Sequence, residues 1–308
     1  MYYIYSNIYT QNRSENRMSP NHMEINKYYY PKAPLLPALL YAMLYFLFYY
    51  IVRVVIFNAA YIFCVAFCGD VEAGSEMYYE NANMLSLVSG IIILAMLAAF
   101  FTIRKKKVKK AFYLNKIGAS ETIICFFAGI SLNFVTTLII SYLPEELVAS
   151  YNEASDSVTD GDTLWYILAA VIMAPILEEI IFRAMMLSRI STATGNTLAV
   201  ILSSAVFGAV HGHIVWSTYA FILGIFLGTI FVRTRSVKAS IVTHFGFNVV
   251  SLISYINVES MSQMAQAIYQ TVLSLCYSLS VPLSITLIII LFHESADTSS
   301  RMPVGFEE

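Results

Sequence analysis

The chain has 308 residues, of which 58% are hydrophobic and only 12% charged, and its mean hydropathy is +0.67. Soluble domains carry about 25% charged residues, so this composition excludes an ordinary soluble protein and predicts a membrane protein with several spans. The formal net charge of −2 gives no reason to expect a nucleic-acid partner.

The length suits one membrane bundle between two polar tails. Residues 1–34 are polar and rich in Tyr and Asn, without the apolar core of a cleavable signal peptide, so we expect a flexible tail there. We expect the bundle over residues 35–293 and a second polar tail over residues 294–308. None of the four cysteines lies in a Cys-x-x-Cys pair or near a His cluster, which favours small apolar side chains in or beside membrane helices.

Apolar segments of about 20 residues predict an all-α polytopic bundle with about eight transmembrane helices. The eight predicted spans are residues 35–57, 85–103, 122–143, 163–187, 197–213, 215–233, 238–256 and 273–292. The fifth and sixth spans are short and almost continuous with each other. The predicted fold is therefore a single transmembrane helical bundle.

Basic residues are confined to alternate connections between the predicted spans. RKKKVKK occupies residues 104–110 and RTRSVK occupies residues 233–238, whereas residues 58–84, 144–162 and 257–272 contain acidic residues and no Lys or Arg. Lys and Arg accumulate in cytoplasmic loops. This alternation predicts that the basic connections and both termini are cytoplasmic.

The fourth predicted span contains APILEEIIFRAMML, residues 174–187, with three ionisable side chains. Each costs about 2.5–3.5 kcal/mol near the bilayer centre, and such residues usually mark a functional site. Glu179 and Arg183 are four residues apart and are expected to form an ion pair, while Glu178 points about 100° away and is the candidate reactive carboxylate. Pro175 predicts a kink just before the site. A purely structural charge network is the alternative.

Two further predicted spans place pairs of side chains on one helical face. SSAVFGAVHGH in the fifth span puts Phe207 and His211 four residues apart, and HFGFN in the seventh does the same for His244 and Asn248. A lone membrane His is more often a packing residue, but two polar groups that project in the same direction predict a shared cavity.

The expected depths of these groups agree with one shared site. With a hairpin over residues 188–200 at the cytoplasmic surface, a rise of 1.5 Å per residue places Glu178 and His211 about 13–17 Å deep. His244 and Asn248 then lie about 9–15 Å deep. We therefore expect all four groups in a common layer in the cytoplasmic half of the membrane.

One carboxylate and two imidazoles can act as general acid and base, or as ligands of a metal that activates water. The sequence contains no His-Glu-x-x-His segment and no Gly-x-Ser-x-Gly segment, so neither a zincin helix nor a serine nucleophile elbow is present. Water activated by Glu178 is the simplest mechanism that remains.

The segments EEIIFR, FGAVH and HFGFN resemble, in order, the EExxxR, FxxxH and HxxxN motifs of the CPBP family of intramembrane proteases (CAAX protease and bacteriocin-processing, or Abi). The resemblance covers about residues 120–256. It implies an eight-helix membrane endopeptidase whose site opens toward the cytosol. It also implies that Glu178 activates water with the help of His211, and that His244 and Asn248 stabilise the oxyanion.

The family resemblance further implies supporting roles for Glu179, Arg183 and Phe207. The family is commonly labelled as metalloproteases, which implies Zn²⁺ or another divalent metal on Glu178, His211 and His244. A metal-free glutamate mechanism is also argued for its CAAX-processing members, so both routes stay open.

Lipid and a membrane-associated peptide or protein are the expected partners. The substrate would be lipidated and CAAX-like, or bacteriocin-related, and the expected location is the plasma membrane of a prokaryote. The alternative function is a non-catalytic immunity or scaffold protein of the same fold. An ion or proton-coupled transporter is less favoured, because the sequence shows no inverted repeat.

Overall fold

The computed structural model describes residues 33–159, 162–256 and 258–293, and nearly all of these residues are helical. The predicted all-α bundle is confirmed. The predicted polar tails lie outside the described residues, except for Ala33 and Pro34.

We number the helices in chain order. They are α1 (Leu35–Cys68), α2 (Val71–Glu80), α3 (Ala82–Ile103), α4 (Val108–Ala111), α5 (Ala119–Ile140), α6 (Glu145–Thr159), α7 (Thr163–Thr194), α8 (Asn196–Ala209), α9 (Ile214–Thr234), α10 (Val237–Val249) and α11 (Gln263–His293). Helix α7 contains two π-helical stretches, Ile167–Met173 and Ile180–Leu187. Helix α10 continues as a 3₁₀ turn over Val250–Tyr255, and a second 3₁₀ turn covers Val258–Ser260.

Six helices in the described part of the chain are long and apolar enough to cross a bilayer, namely α1, α3, α5, α7, α9 and α11. The predicted number of about eight spans is therefore not matched exactly, because two of the eight predicted segments are shorter apolar helices. The fifth and seventh predicted spans correspond to α8, with 14 residues, and α10, with 13 residues. A 14-residue helix is about 21 Å long, which is short of a hydrocarbon core of about 30 Å. Apolar residues continue through the turns after these two helices, so hydropathy did not show where the helices end.

Helix α1 extends eleven residues beyond its predicted end, because no helix breaker precedes Gly69. This glycine ends the helix with a φ of 68°, in the left-handed region. The Asp70 carboxylate then accepts from the Ala73 backbone N–H and caps α2. Helix α2 packs back on α1, since a Cβ on Gly74 would lie 2.5 Å from Val65 Cα.

Successive long helices run in opposite directions, so the connections collect at two ends of the bundle. The basic end contains residues 104–118, Gly195 and residues 235–236, and the acidic end contains residues 69–81, 141–159 and 210–213. At the basic end, Val237 N–H donates to Tyr113 O over 3.0 Å. At the acidic end, the side chains of Ser150 and His213 are hydrogen-bonded at 3.0 Å.

The packed core lies in the basic half of the bundle. All eight side chains of Ile180–Leu187 are buried, and they pack against α1 and α8. The outer faces of the long helices expose large apolar side chains such as Leu36, Phe67 and Ile139, as expected for a surface in contact with lipid. The bundle is therefore tightly packed toward its basic end, and the polar site lies between this core and the acidic end.

Close crossing of α5 and α10 sets the position of α10. A Cβ on Gly129 would lie 1.9 Å from Thr243 O, and a Cβ on Gly246 would lie 2.3 Å from Phe126 O. Only glycine permits the two backbones to approach so closely. The crossing fixes α10 at the level where His244 faces α7.

Candidate active site

The structure brings the four predicted site residues to one pocket of about 310 Å³. Its polar lining includes Asn133, Glu178, His211, His244, Asn248 and Ser251. Glu178 comes from α7, His211 from the turn after α8, and the last three from α10 and its 3₁₀ extension. The expected convergence of three helices on a single cavity is therefore present.

The first π-helical stretch of α7 shapes the wall of this pocket. The Ala174 N–H bonds to Ala169 O, five residues back, so the next carbonyl in this register, Ala170 O, faces Pro175. Proline has no N–H to donate. The Asn248 amide supplies the missing donor, with Nδ2 2.9 Å from Ala170 O. The predicted disturbance at Pro175 is thus a π-helical stretch that ties α7 to α10.

The predicted ion pair of Glu179 and Arg183 is present and fully buried. Arg183 Nη1 lies 2.8 Å from Glu179 Oε1, and the two side chains are 1% and 0% exposed. Arg183 Nη2 also donates to Gly224 O at 3.2 Å, and the guanidinium lies 4.5 Å from the centroid of the Phe207 ring. The pair therefore joins α7, α8 and α9 beneath the pocket.

His244 lies between the two adjacent glutamates. Its Nδ1 is 3.0 Å from Glu179 Oε1, and its Nε2 is 3.9 Å from Glu178 Oε2. A carboxylate paired with Arg183 can only accept, so Nδ1 carries the proton that it donates to Glu179. Nε2 is then directed at Glu178. One imidazole therefore reaches both glutamates.

The His211 ring, like the His244 ring, is oriented through its Nδ1 atom, but by a contact to a backbone carbonyl. Its Nδ1–H donates to Phe207 O at 2.7 Å, which directs Nε2 away from α8. The Phe207 ring packs edge-on against His211 at 4.9 Å and against His244 at 5.9 Å. Phe207, predicted as a supporting residue, therefore packs against both imidazoles.

Aromatic residues at the acidic end form the mouth of the pocket, and the sequence reasoning missed them. Tyr151 and Ser155 of α6 line the pocket together with Trp216 and Tyr219 of α9. Tyr151 meets Trp216 and Tyr219 edge-on, at 6.3 and 6.4 Å. Residues 144–162 were predicted as a connection, and no spacing in that segment signalled a contact with α9.

Glu178, His211 and His244 were the expected ligands if a metal ion binds. Glu178, His211 and His244 share the pocket, but among the described residues no group of three or more His, Cys, Asp or Glu side chains is arranged to hold a metal ion. The directed Nε2 atoms suit proton transfer and hydrogen bonding.

The helix ends near the pocket differ from those assumed for the expected depths. Within residues 188–200, α7 continues to Thr194 and the turn to α8 is Gly195 alone, with a φ of 84°. Glu178 is therefore about 24 Å from the basic end of α7 and about 22 Å from its start at Thr163. His211 lies beyond the last residue of α8, at the acidic end. The site spans the middle of the bundle and its acidic half.

Comparison with known proteins supports the family predicted from the motifs. Residues 160–250, which contain most of the pocket, match the family model described as type II CAAX prenyl endopeptidase Rce1-like. The predicted family resemblance is confirmed. The match indicates a CAAX-protease-like fold for residues 160–250.

Two curated proteins are similar to this chain. The UPF0177 protein YbdI of Lactococcus lactis subsp. lactis is 29% identical over 127 residues, which cover 40% of this chain and 68% of the relative. An uncharacterized protein of Mycoplasma capricolum subsp. capricolum is 29% identical over 171 residues, which cover 51% of this chain and 49% of the relative. The chain thus spans about half the length of the second relative. No solved structure matches.

Proposed function

We propose that this protein is an intramembrane endopeptidase that hydrolyses a peptide bond with water activated by Glu178. The observation that carries the proposal is the position of His244 between Glu178 and Glu179, in a pocket that His211 also lines. The family match supports a protease-like fold around these residues. A structural ion pair alone would explain Glu179 and Arg183, but it leaves the partly exposed Glu178 unexplained.

In the proposed reaction, Glu178 and His211 orient a water molecule, and the Glu178 carboxylate takes one of its protons. The water oxygen adds to the carbonyl carbon of the scissile bond. Glu178 then passes the proton to the leaving nitrogen, so the C–N bond breaks and an acid and an amine form.

The oxyanion of the tetrahedral intermediate requires hydrogen-bond donors. His244 provides Nε2–H when its ring is protonated, while Nδ1–H stays bonded to Glu179. Asn248 has two amide hydrogens, and the bond to Ala170 O uses one of them. The second is available to the oxyanion. Glu179 and Arg183 then act as positioning residues that orient the His244 ring through its Nδ1–H.

We propose a lipidated or otherwise membrane-associated peptide as the substrate, in the plasma membrane of a prokaryote. The description of the family as prenyl endopeptidases supports a prenylated peptide that ends in Cys-aliphatic-aliphatic-X as the first probe. The six long apolar helices fit an integral membrane protein. The proposed mechanism requires no metal ion.

The test compares peptide termini in membranes that contain the wild-type protein, Glu178→Gln or Glu80→Gln. Glu80 is an exposed carboxylate on α2, so it controls for the loss of a charge. Termini that appear with the wild type and with Glu80→Gln, and disappear with Glu178→Gln, support hydrolysis. Identical termini in all three membranes, with equal protein levels and an unchanged phenotype, would favour the immunity or scaffold role.

A further inference from the structure

A single cation lies in the first long helix, outside the segment that matches the family. Arg53 is the only Lys or Arg in residues 33–103, and it belongs to α1, which is long and apolar enough to cross a bilayer. The proposed hydrolysis does not use it, and the matched residues 160–250 do not include it. An ionisable side chain in a membrane span is costly and usually marks a functional site. Arg53 therefore requires an explanation of its own.

The Arg53 guanidinium is held in place by residues of α1 and α3. Its Nη1 donates to the Tyr49 hydroxyl at 3.3 Å, and its Nη2 donates to Ser86 Oγ of α3 at 3.2 Å. The guanidinium carbon lies 5.8 Å from the centroid of the Tyr49 ring and 5.2 Å from that of the Phe57 ring. Both aromatic residues are four positions from Arg53 and so share its helical face. The planar group is therefore oriented before any ligand binds.

None of these contacts neutralises the charge of Arg53. Among the described residues, no Asp or Glu carboxylate forms an ion pair with it. A guanidinium has five N–H groups, and the two hydrogen bonds use two of them. The side chain is partly exposed, at the edge of the contact between α1 and α3. An anion from outside the chain can therefore reach it.

The position of Arg53 along the bundle fits the level of lipid headgroups. The start of α1 is fixed at the basic end, because Ala33 N–H donates to Thr192 O at 2.9 Å, close to the end of α7. Arg53 follows Leu35 by eighteen residues, or about 27 Å of helix, and a hydrocarbon core is about 30 Å thick. Its partner Ser86 lies only four residues after the start of α3, at the acidic end. Arg53 is therefore near the acidic-end surface of the membrane.

The surface beside Arg53 is suited to acyl chains. Ile51, Val54 and Val55 are 56%, 40% and 60% exposed on the adjoining face of α1. A guanidinium matches a phosphate with two parallel hydrogen bonds, and it is more weakly hydrated than an ammonium group. An anionic headgroup above an apolar helix face is the arrangement that a phospholipid offers.

We propose that Arg53 binds the phosphate of a phospholipid in the leaflet at the acidic end of the bundle. Tyr49, Phe57 and Ser86 hold the guanidinium, and the exposed apolar side chains contact the acyl chains. The bound lipid would fill the edge of the contact between α1 and α3. The inference does not depend on the proposed hydrolysis.

Photo-cross-linking in a nonionic detergent tests the site. The probe is a phosphatidylglycerol with a diazirine in its headgroup, and peptide sequencing locates the cross-links on the purified full chain. The variants are Arg53→Gln, Arg53→Lys and the control Arg104→Gln. Arg104 is an exposed arginine whose guanidinium lies 5.4 Å from the centroid of the Phe100 ring, at the basic end. Removal of a charge from α1 should leave the protein monodisperse, and labelling of residues 104–110 is the internal reference.

We expect labelling near Arg53 and Ser86 in the wild type and in Arg104→Gln. Arg53→Gln should lower the affinity of this site for the probe about tenfold or more, the usual effect of losing hydrogen bonds to a charged group. Arg53→Lys keeps the charge and loses the planar fork, so it should recover only part of the affinity. Labelling of residues 104–110 should stay unchanged in both Arg53 variants.

Competition identifies the ligand. Unlabelled dioleoyl phosphatidylglycerol should displace the probe, whereas dioleoylglycerol, which lacks the phosphate, and inorganic phosphate, which lacks the chains, should not. Displacement by dioleoylglycerol at the same concentration would overturn the role of the phosphate, and displacement by inorganic phosphate would overturn the assignment to lipid. Equal labelling in Arg53→Gln, or no labelling near Arg53 in the wild type, would overturn the site and leave a carboxylate of a partner protein as the anion.

Discussion

Arg183→Ala would remove the cation that compensates a buried carboxylate. In the folded protein, Arg183 is 1% exposed and pairs with Glu179, which is 0% exposed. The change also removes the hydrogen bond to Gly224 O and the guanidinium that lies 4.5 Å from the Phe207 ring. Three helices lose a common contact point, and a carboxylate is left buried without its partner cation.

The expected cost is large. Removal of one partner of a buried pair costs about 3–5 kcal/mol, mostly because the remaining charge stays buried. A loss of 1 kcal/mol lowers the melting temperature by about 2–4 °C in a domain of 150–250 residues. Arg183→Ala should therefore lower the melting temperature by roughly 6–20 °C.

Thermal unfolding in one detergent, followed by tryptophan fluorescence or by loss of monodisperse protein, measures the shift. Arg104→Ala is the matched control, because Arg104 is exposed and its guanidinium lies 5.4 Å from the centroid of the Phe100 ring. This contact is worth only about 0.5–1 kcal/mol at an exposed site. If Arg183→Ala melted within the range of Arg104→Ala, the buried pair would not have the structural role assigned to it.

Three further outcomes are expected. Asn248→Asp removes the donor to Ala170 O, so it should lower both stability, by about 1–3 kcal/mol, and cleavage; wild-type melting would contradict the contact. Gly129→Ala places a Cβ 1.9 Å from Thr243 O, so it should reduce folded yield, whereas a Cβ on Gly118 meets only a side-chain oxygen at 3.9 Å and Gly118→Ala should fold normally. Cleavage should persist in the presence of a chelator, and the purified protein should carry less than one metal ion per chain. Loss of cleavage in the chelator, with recovery when zinc is added, would show that a metal takes part.

The sequence predicts the identity of the site residues better than their arrangement. Four side chains stand out because polar groups are costly in a membrane span, namely Glu178, His211, His244 and Asn248. In addition, His211 shares a helical face with Phe207, and His244 shares one with Asn248. The ion pair of Glu179 with Arg183 follows from their spacing alone. Each of these inferences depends on a single helix, and the structure places Glu178, the two imidazoles and the Asn248 amide at one pocket.

The spacing of residues along one helix does not predict contacts between different helices. The contact of His244 with both glutamates depends on the crossing of α10 and α5, which the close approach at Gly129 and Gly246 sets. The donor role of Asn248 depends on the π-helical register before Pro175, and an α-helical pattern does not reveal that register. These features appear only when neighbouring backbones are in place.

Helix ends were the other source of error. The turn at Gly195 consists of one residue, whereas the depth argument assumed a hairpin over residues 188–200. The fourth helix along the predicted order therefore ends at Thr194 and not at residue 187. Hydropathy reports which residues avoid water, and it does not report where a helix stops.

Peptide hydrolysis in H₂¹⁸O by the purified, reconstituted protein tests the role of Glu178 most directly, with the prenylated peptide or a peptide identified from the membrane termini as substrate. We predict one ¹⁸O atom in the new carboxyl terminus, and a rate that falls by about 10²–10⁴-fold in Glu178→Gln, the usual contribution of a general base. Cleavage by Glu178→Gln at the wild-type rate would contradict it.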